Sequence, residues 1–330
     1  MSGRGGVPRR RLATAIAAVM ALAGCSPNPA PNPERTAAAS RPPVSRTAAP
    51  SASARTTAPS THAPADPVLI AAGDVASCDS SGDEATARLL DGIGGTVAVL
   101  GDSAYPNGSR SDFARCYAAS WGRHKGRTRP APGNHEYQTA GAAGYFSYFG
   151  AAAGDPAKGY YSYDLGAWHV VVINSVCSAV GGCGYGSPQQ RWLRADLAAS
   201  ANRCTLAYWH HPLFTSGSEH GPQSELRPIF ATLYESGADI VLTGHEHNYE
   251  RFAPQNPAGA ADPTRGIRVW VVGTGGASHY GFGTPRPNSQ VRNAEAYGVL
   301  KLTLHADGYE WQFVPQAGGS FTDRGSATCH

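Results

Sequence analysis

The chain has 330 residues, 27 basic against 24 acidic for a net charge of +3, with 15% charged residues, 40 Gly and 25 Pro. That composition excludes a coiled coil and falls short of a wholly disordered chain, and no apolar run reaches the ~20 residues of a membrane span. Eight basic residues but only Glu34 and Asp66 fall in residues 1–66, which leaves 19 basic against 22 acidic in residues 67–330; the larger part is slightly acidic, which argues against nucleic acid as a partner.

At the N-terminus, Arg9, Arg10 and Arg11 precede the apolar stretch from Leu12 to Ala23, of the length of a secretory h-region. It ends in Leu22-Ala23-Gly24-Cys25, which resembles a bacterial lipobox. The resemblance implies a lipoprotein signal peptide over residues 1–24, lipidation of Cys25, and display on the extracytoplasmic face of the cell membrane, held there only through that anchor. An ordinary cleaved signal peptide would instead give a secreted protein. From Ser26 to Asp66 the chain is nearly all Pro, Ala, Ser, Thr and Arg, and Val44 is its single large aliphatic residue. Such a segment buries too little apolar surface to offset its ordering entropy, so residues 25–66 are expected to form a disordered tether.

Six further cysteines remain, Cys78, Cys116, Cys177, Cys183, Cys204 and Cys329, an even number suited to an oxidising compartment and lacking the close spacing of a zinc ribbon. Disulfides are expected. Cys177 and Cys183 are placed to close a small loop around Gly181-Gly182; the other pairings stay open.

From residue 67 short apolar runs recur, and several end in a side chain of metal-ligand type. Val68–Ala72 runs into Gly73-Asp74, and Val97–Leu100 into Gly101-Asp102. Strands are expected at Tyr160–Leu165 and His169–Asn174, then a helix from Gln189 to Ala199. Thr205–Trp209 runs into His210, a helix spans Leu226–Ser236, and Asp239–Leu242 runs into Thr243-Gly244-His245. Further strands are expected at Arg268–Val272, Gly298–Leu304 and Tyr309–Val314, the last two joined as a hairpin through Asp307-Gly308. Residues 67–330 thus read as one α/β domain.

The strand ends and the loops after them collect Asp74, Asp102, Tyr105, Asn134, His210, His245 and His247. Carboxylate, phenol, amide and imidazole together suit iron, manganese or zinc, and one carboxylate can bridge two cations ~3.5–4 Å apart. The ordered series Gly73-Asp74, Gly101-Asp102-Ser103-Ala104-Tyr105, Gly133-Asn134-His135-Glu136, His210-His211-Pro212 and Gly244-His245-Glu246-His247 resembles the calcineurin-like metallophosphoesterases. Tyr105, three residues after Asp102, and Asn248-Tyr249-Glu250-Arg251 are similar to the purple acid phosphatases.

The resemblance implies a four-layer α-β-β-α sandwich of two mixed sheets, with a dinuclear metal site at the C-terminal ends of the strands. Asp74, Asp102, Tyr105 and His247 would hold Fe(3+), and Asp102, Asn134, His210 and His245 a divalent iron, zinc or manganese ion. Asn134, His135 and His220 would bind substrate, His135 and His220 also acting catalytically. The implied activity is acid phosphatase-like hydrolysis of small-molecule phosphate monoesters, by in-line attack of a metal-bound hydroxide. A phosphodiesterase or nucleotidase on the same centre is the alternative, and a non-catalytic tethered surface-binding protein a further one. The Gly-x-Ser-x-Gly elbow of a serine hydrolase is missing at a strand-to-helix turn, and Gly273-Thr274-Gly275-Gly276 lacks the Lys-Ser/Thr of a P-loop. His211 receives no assignment, and His124, His169, His279 and His305 are expected on the surface or in strands.

Overall fold

The computed structural model describes residues 65–330. The expected signal peptide, Cys25 and all but the last two residues of the tether lie outside the described residues. In chain order the strands are β1 (Val68–Ala72), β2 (Thr96–Leu100), β3 (Thr128–Ala131), β4 (Tyr161–Leu165), β5 (Trp168–Val172), β6 (Cys204–Tyr208), β7 (Ile240–Thr243), β8 (Tyr249–Phe252), β9 (Arg268–Val272), β10 (Ser289–Asn293), β11 (Gly298–Leu304), β12 (Gly308–Pro315) and β13 (Arg324–Thr328). The longer α-helices are α1 (Gly82–Gly92), α2 (Ala143–Phe149), α3 (Pro188–Ala199) and α4 (Arg227–Glu235).

The strands form two mixed sheets. The first has six strands in the order β13-β12-β11-β1-β2-β3, and the second seven, β10-β8-β9-β7-β6-β5-β4. β1, β2 and β3 are parallel, as are β5, β6, β7 and β9, while the outer strands pair antiparallel. Every residue of β5, β6 and β7 is buried, and alternation decides which layer each side chain enters. Trp168, Val170, Val172, Leu206, Tyr208, Ile240 and Leu242 face the first sheet. Val171, Ala207 and Val241 point the other way, onto Leu193 of α3 and Ile229, Phe230 and Leu233 of α4. Ser187 caps α3 by accepting from Gln190 N–H, with Pro188 at its first position. With α1 on the outer side of the first sheet, the fold is the four-layer α/β sandwich expected.

The expected hairpin pairs Leu304 with Tyr309, and Cys177 bonds Cys183 as anticipated. Cys78–Cys116 and Cys204–Cys329 complete the disulfides; the second ties the start of β6 to the C-terminal segment. Among the described residues no helix is long and apolar enough to cross a membrane.

The two parallel blocks bring their C-terminal ends to one edge. The turns after β1, β2, β3, β6 and β7 all open there, and hydrogen bonds lock them: Gly73 N–H to Val272 C=O at 2.9 Å between the sheets, and Asp74 N–H to Gly101 C=O at 3.1 Å within the first.

Candidate metal centre

Three of the side chains expected as ligands sit on left-handed backbone, Asp74 at φ 59°, Asp102 at φ 48° and His245 at φ 73°. For residues with a Cβ this conformation is costly, and its clustering at one edge marks turns held by their surroundings. The neighbouring glycines show the crowding. A Cβ on Gly101 would meet the His210 side chain at 2.6 Å, and one on Gly133 would strike the Asp102 carboxylate.

These turns bring all seven expected ligands together. Tyr105 Oη lies 3.0 Å from Asp74 Oδ1, 3.2 Å from Asp102 Oδ2 and 3.1 Å from His247 Nε2, and His247 Nε2 lies 3.3 Å from Asp74 Oδ1. On the other side of Asp102, His210 Nε2 lies 3.1 Å from Asp102 Oδ2, 2.9 Å from Asn134 Oδ1 and 3.1 Å from His245 Nδ1. The two quartets share one atom, Asp102 Oδ2. Ligands at right angles around a cation held at ~2.1 Å stand about 3 Å apart, the spacing seen here.

The chemistry of the second quartet also calls for a cation. His210 Nδ1–H donates to Leu100 C=O at 2.9 Å, which leaves Nε2 a lone pair. That lone pair faces two acceptors, a carboxylate oxygen and an amide oxygen, beside the His245 ring nitrogen. Among protein groups alone, burial opposes protonation of His210, but the Asp102 carboxylate outweighs it and raises the imidazole to about 9. A single proton on Nε2 cannot fully serve both oxygens at once. His245 is driven the other way, by burial and then by His210, so its ring stays neutral and able to ligate. Burial and the charges of Asp102 and Asp74 hold the Tyr105 phenol well above 10, so a phenolate there needs a cation beside it. The residues present therefore fit two cations.

The two expected substrate histidines flank this cluster. His135 lies over Tyr105 with ring centroids 4.4 Å apart, and its Nδ1 donates to Pro106 C=O at 2.5 Å. Any proton it exchanges with a substrate therefore passes through Nε2. His220 is exposed and stacks on His245 at 4.2 Å. His124, His169 and His305 instead form side-chain pairs with aspartates, and His279 stacks on Tyr297, all outside the seven-residue cluster.

Two buried glutamates inside the motifs hold the site together, and their roles escaped the sequence. Glu136 accepts the backbone N–H groups of Asp102 at 3.0 Å, Ser103 at 2.7 Å and Gly133 at 2.7 Å, joining the turns after β2 and β3. Burial and the Asp102 charge raise Glu136 above the usual carboxylate range, an effect that the Gly133 and Ser103 N–H groups and His210 oppose. Glu246 accepts from His220 N–H at 2.8 Å and Gly221 N–H at 2.7 Å, fixing the loop that carries His220. Their signal was a charged residue beside a ligand in a motif whose other positions were already explained. Ser278, 2.6 Å from His247 Nδ1, carried no signal at all.

Residues 64–249 match the calcineurin-like phosphoesterase family. The chain is 28% identical over 189 residues to acid phosphatase A of Cryphonectria parasitica, a match that covers 50% of this chain and 38% of the relative. It is 31% identical over 134 residues to purple acid phosphatase 18 of Arabidopsis thaliana, covering 38% of this chain and 28% of that one. The chain thus spans well under half the length of these curated relatives. A purple acid phosphatase from yellow lupin (Lupinus luteus) seeds shares the fold, with a TM-score of 0.66 and 18% identity over 79% of this chain and 53% of that structure. The family match spans more than half of the chain and includes the turns that bear all seven expected ligands: the chain belongs to the calcineurin-like phosphoesterase family.

Proposed function

We propose that this chain is a dinuclear-metal phosphomonoesterase of the acid phosphatase type, its catalytic domain spanning residues 67–330. The observation that carries the proposal is the pair of ligand quartets sharing Asp102 Oδ2, with two histidines on the open side. Asp74, Asp102, Tyr105 and His247 would hold Fe(3+), and Asp102, Asn134, His210 and His245 a divalent iron, zinc or manganese ion. When bound, such a pair lowers the pKa of a water molecule and neutralises charge on phosphoryl oxygens. The chain's own residues supply the rest. Asn134, His135 and His220 orient the phosphoryl group, and His135 Nε2 or His220 gives the leaving alkoxide its proton. The leader sequence supports an exported enzyme anchored at Cys25. The named acid phosphatase relatives support monoesters over diesters.

The test is a side-by-side rate comparison of the full chain on p-nitrophenyl phosphate and bis(p-nitrophenyl) phosphate, with metal analysis of the same sample. Monoester hydrolysis faster by tenfold or more is expected. A faster diester reaction would assign a phosphodiesterase, and a metal-loaded yet inert protein would assign the non-catalytic role.

A further inference from the structure

A cleft of about 430 Å³ runs outward from Asn134 and His211, between the Cys177–Cys183 loop and the segment Gln223–Leu226. Its volume suits a small ligand. One wall is pre-formed. The disulfide closes the loop, Gly182 N–H donates to Cys177 C=O at 2.8 Å, and Gln189 bonds both the N–H (2.9 Å) and the C=O (3.0 Å) of Asn174 at the loop's base.

The lining mixes polar and apolar groups and carries no lysine or arginine. Ser178, Gln223 and Glu225 offer donors and acceptors, and Glu225 is the one charged side chain among the lining residues. At the inner end stands His211, whose ring lies 4.4 Å from that of His245. Ser175 Oγ accepts the backbone N–H of His211 at 3.0 Å and lies 2.8 Å from His211 Nδ1, which fixes the ring's orientation. Nε2 is the ring nitrogen that Ser175 does not engage.

We infer that this cleft is the leaving-group subsite, and that it takes a neutral, hydroxyl-rich alcohol: the His211 ring, Ser178 and Gln223 bind its oxygens and Glu225 repels a second anionic group. The inference rests on the phosphomonoesterase proposal above. Asn134 belongs both to the ligand cluster and to the lining of the cleft, which joins the two. A sugar or glycerol moiety meets complementary groups there; a carboxylated or further phosphorylated one meets no basic side chain and faces the Glu225 carboxylate.

The test compares glycerol 3-phosphate with 3-phosphoglycerate, which differ by a carboxylate in the leaving alcohol, and their phosphonate analogues in calorimetric titrations. The wild-type chain should favour the glycerol compound by roughly tenfold in kcat/KM and in affinity, the size of a like-charge contact near solvent. Glu225→Gln should narrow the ratio to about threefold or less, and Glu225→Lys should reverse it. His211→Asn, which removes Nε2 while keeping a polar partner for Ser175, should weaken the glyceryl phosphonate several-fold. Ratios normalise any loss of folded protein. Equal ratios in wild type and both Glu225 variants would overturn the subsite. If no ester is hydrolysed, the phosphomonoesterase proposal fails instead, and the phosphonate affinities still decide whether Glu225 selects by charge.

Discussion

Glu136→Gln is the sharpest probe of how the site is assembled. The wild-type carboxylate divides three backbone donors between two oxygens: Asp102 and Gly133 N–H on Oε2, Ser103 N–H on Oε1. A glutamine fills the same volume but has one accepting oxygen. Turned one way it keeps two of the bonds and sets its NH2 against Ser103 N–H; turned the other it keeps one. Hydrogen bonds to charged groups contribute roughly 1.5–3 kcal/mol each, and a buried donor left unpaired costs about 1–3 kcal/mol. The expected loss is therefore about 3 kcal/mol. At about 2–4 °C per kcal/mol for a domain of this size, the melting temperature should fall by about 6–12 °C. The bonds at risk span the turns that aim Asp102 and Asn134, so metal content should fall as well. Circular dichroism melting with metal analysis reads both effects. A variant with wild-type melting temperature and full metal content would refute the joining role.

Four further outcomes are expected. Tyr105→Phe should abolish visible absorption of the iron-loaded protein while leaving part of the hydrolysis; persistent colour would remove the phenolate from the ligand set. Prolonged chelation should abolish hydrolysis and lower the melting temperature together, since cations bound only by the folded state stabilise it by mass action; unchanged melting would place no cation at the site. Cys204→Ser/Cys329→Ser should destabilise more than Cys177→Ser/Cys183→Ser, because the loops closed span 125 and 6 residues and chain entropy gives roughly 5 against 2 kcal/mol; denaturant unfolding ranks them, and the reverse order would contradict that account. His169 is raised by its hydrogen bond to Asp196 and, beyond an opposing burial effect, by Asp164. Its contribution is present in full below its ordinary value of about 6.5 and is lost as pH rises through the raised one. The stability gap between wild type and His169→Gln should therefore shrink from pH 6 to pH 9 in urea unfolding, and a gap that grows would reverse the assignment.

The parts of the fold legible in the sequence were those whose signal is local. β1, β2, β6 and β7 are continuous apolar runs because both their faces are covered, and each announces itself without its neighbours. The ligands follow them because a strand end is where the chain must turn. β3 escaped because Pro130 interrupts a four-residue strand; it is tolerated there because β3 is the edge of its sheet. β10 and β13 escaped for a related reason. Edge strands such as Ser-Gln-Val-Arg-Asn and Arg-Gly-Ser-Ala-Thr bury little and are defined by the strand they pair with. The disulfide pairing Cys204–Cys329 depends on the C-terminal segment reaching the start of β6, a fact of topology that spacing does not carry. Glu136 and Glu246 were visible as residues but not as supports, since their partners are backbone groups of turns remote in sequence.

The central claim is that one oxygen, Asp102 Oδ2, belongs to both ligand quartets. Metal stoichiometry of the full chain and two variants tests it directly. Wild type should bind two transition-metal ions per chain, His247→Ala about one, and Asp102→Ala fewer than one. Two ions retained by Asp102→Ala, or one lost there and one kept as in His247→Ala, would contradict the shared carboxylate.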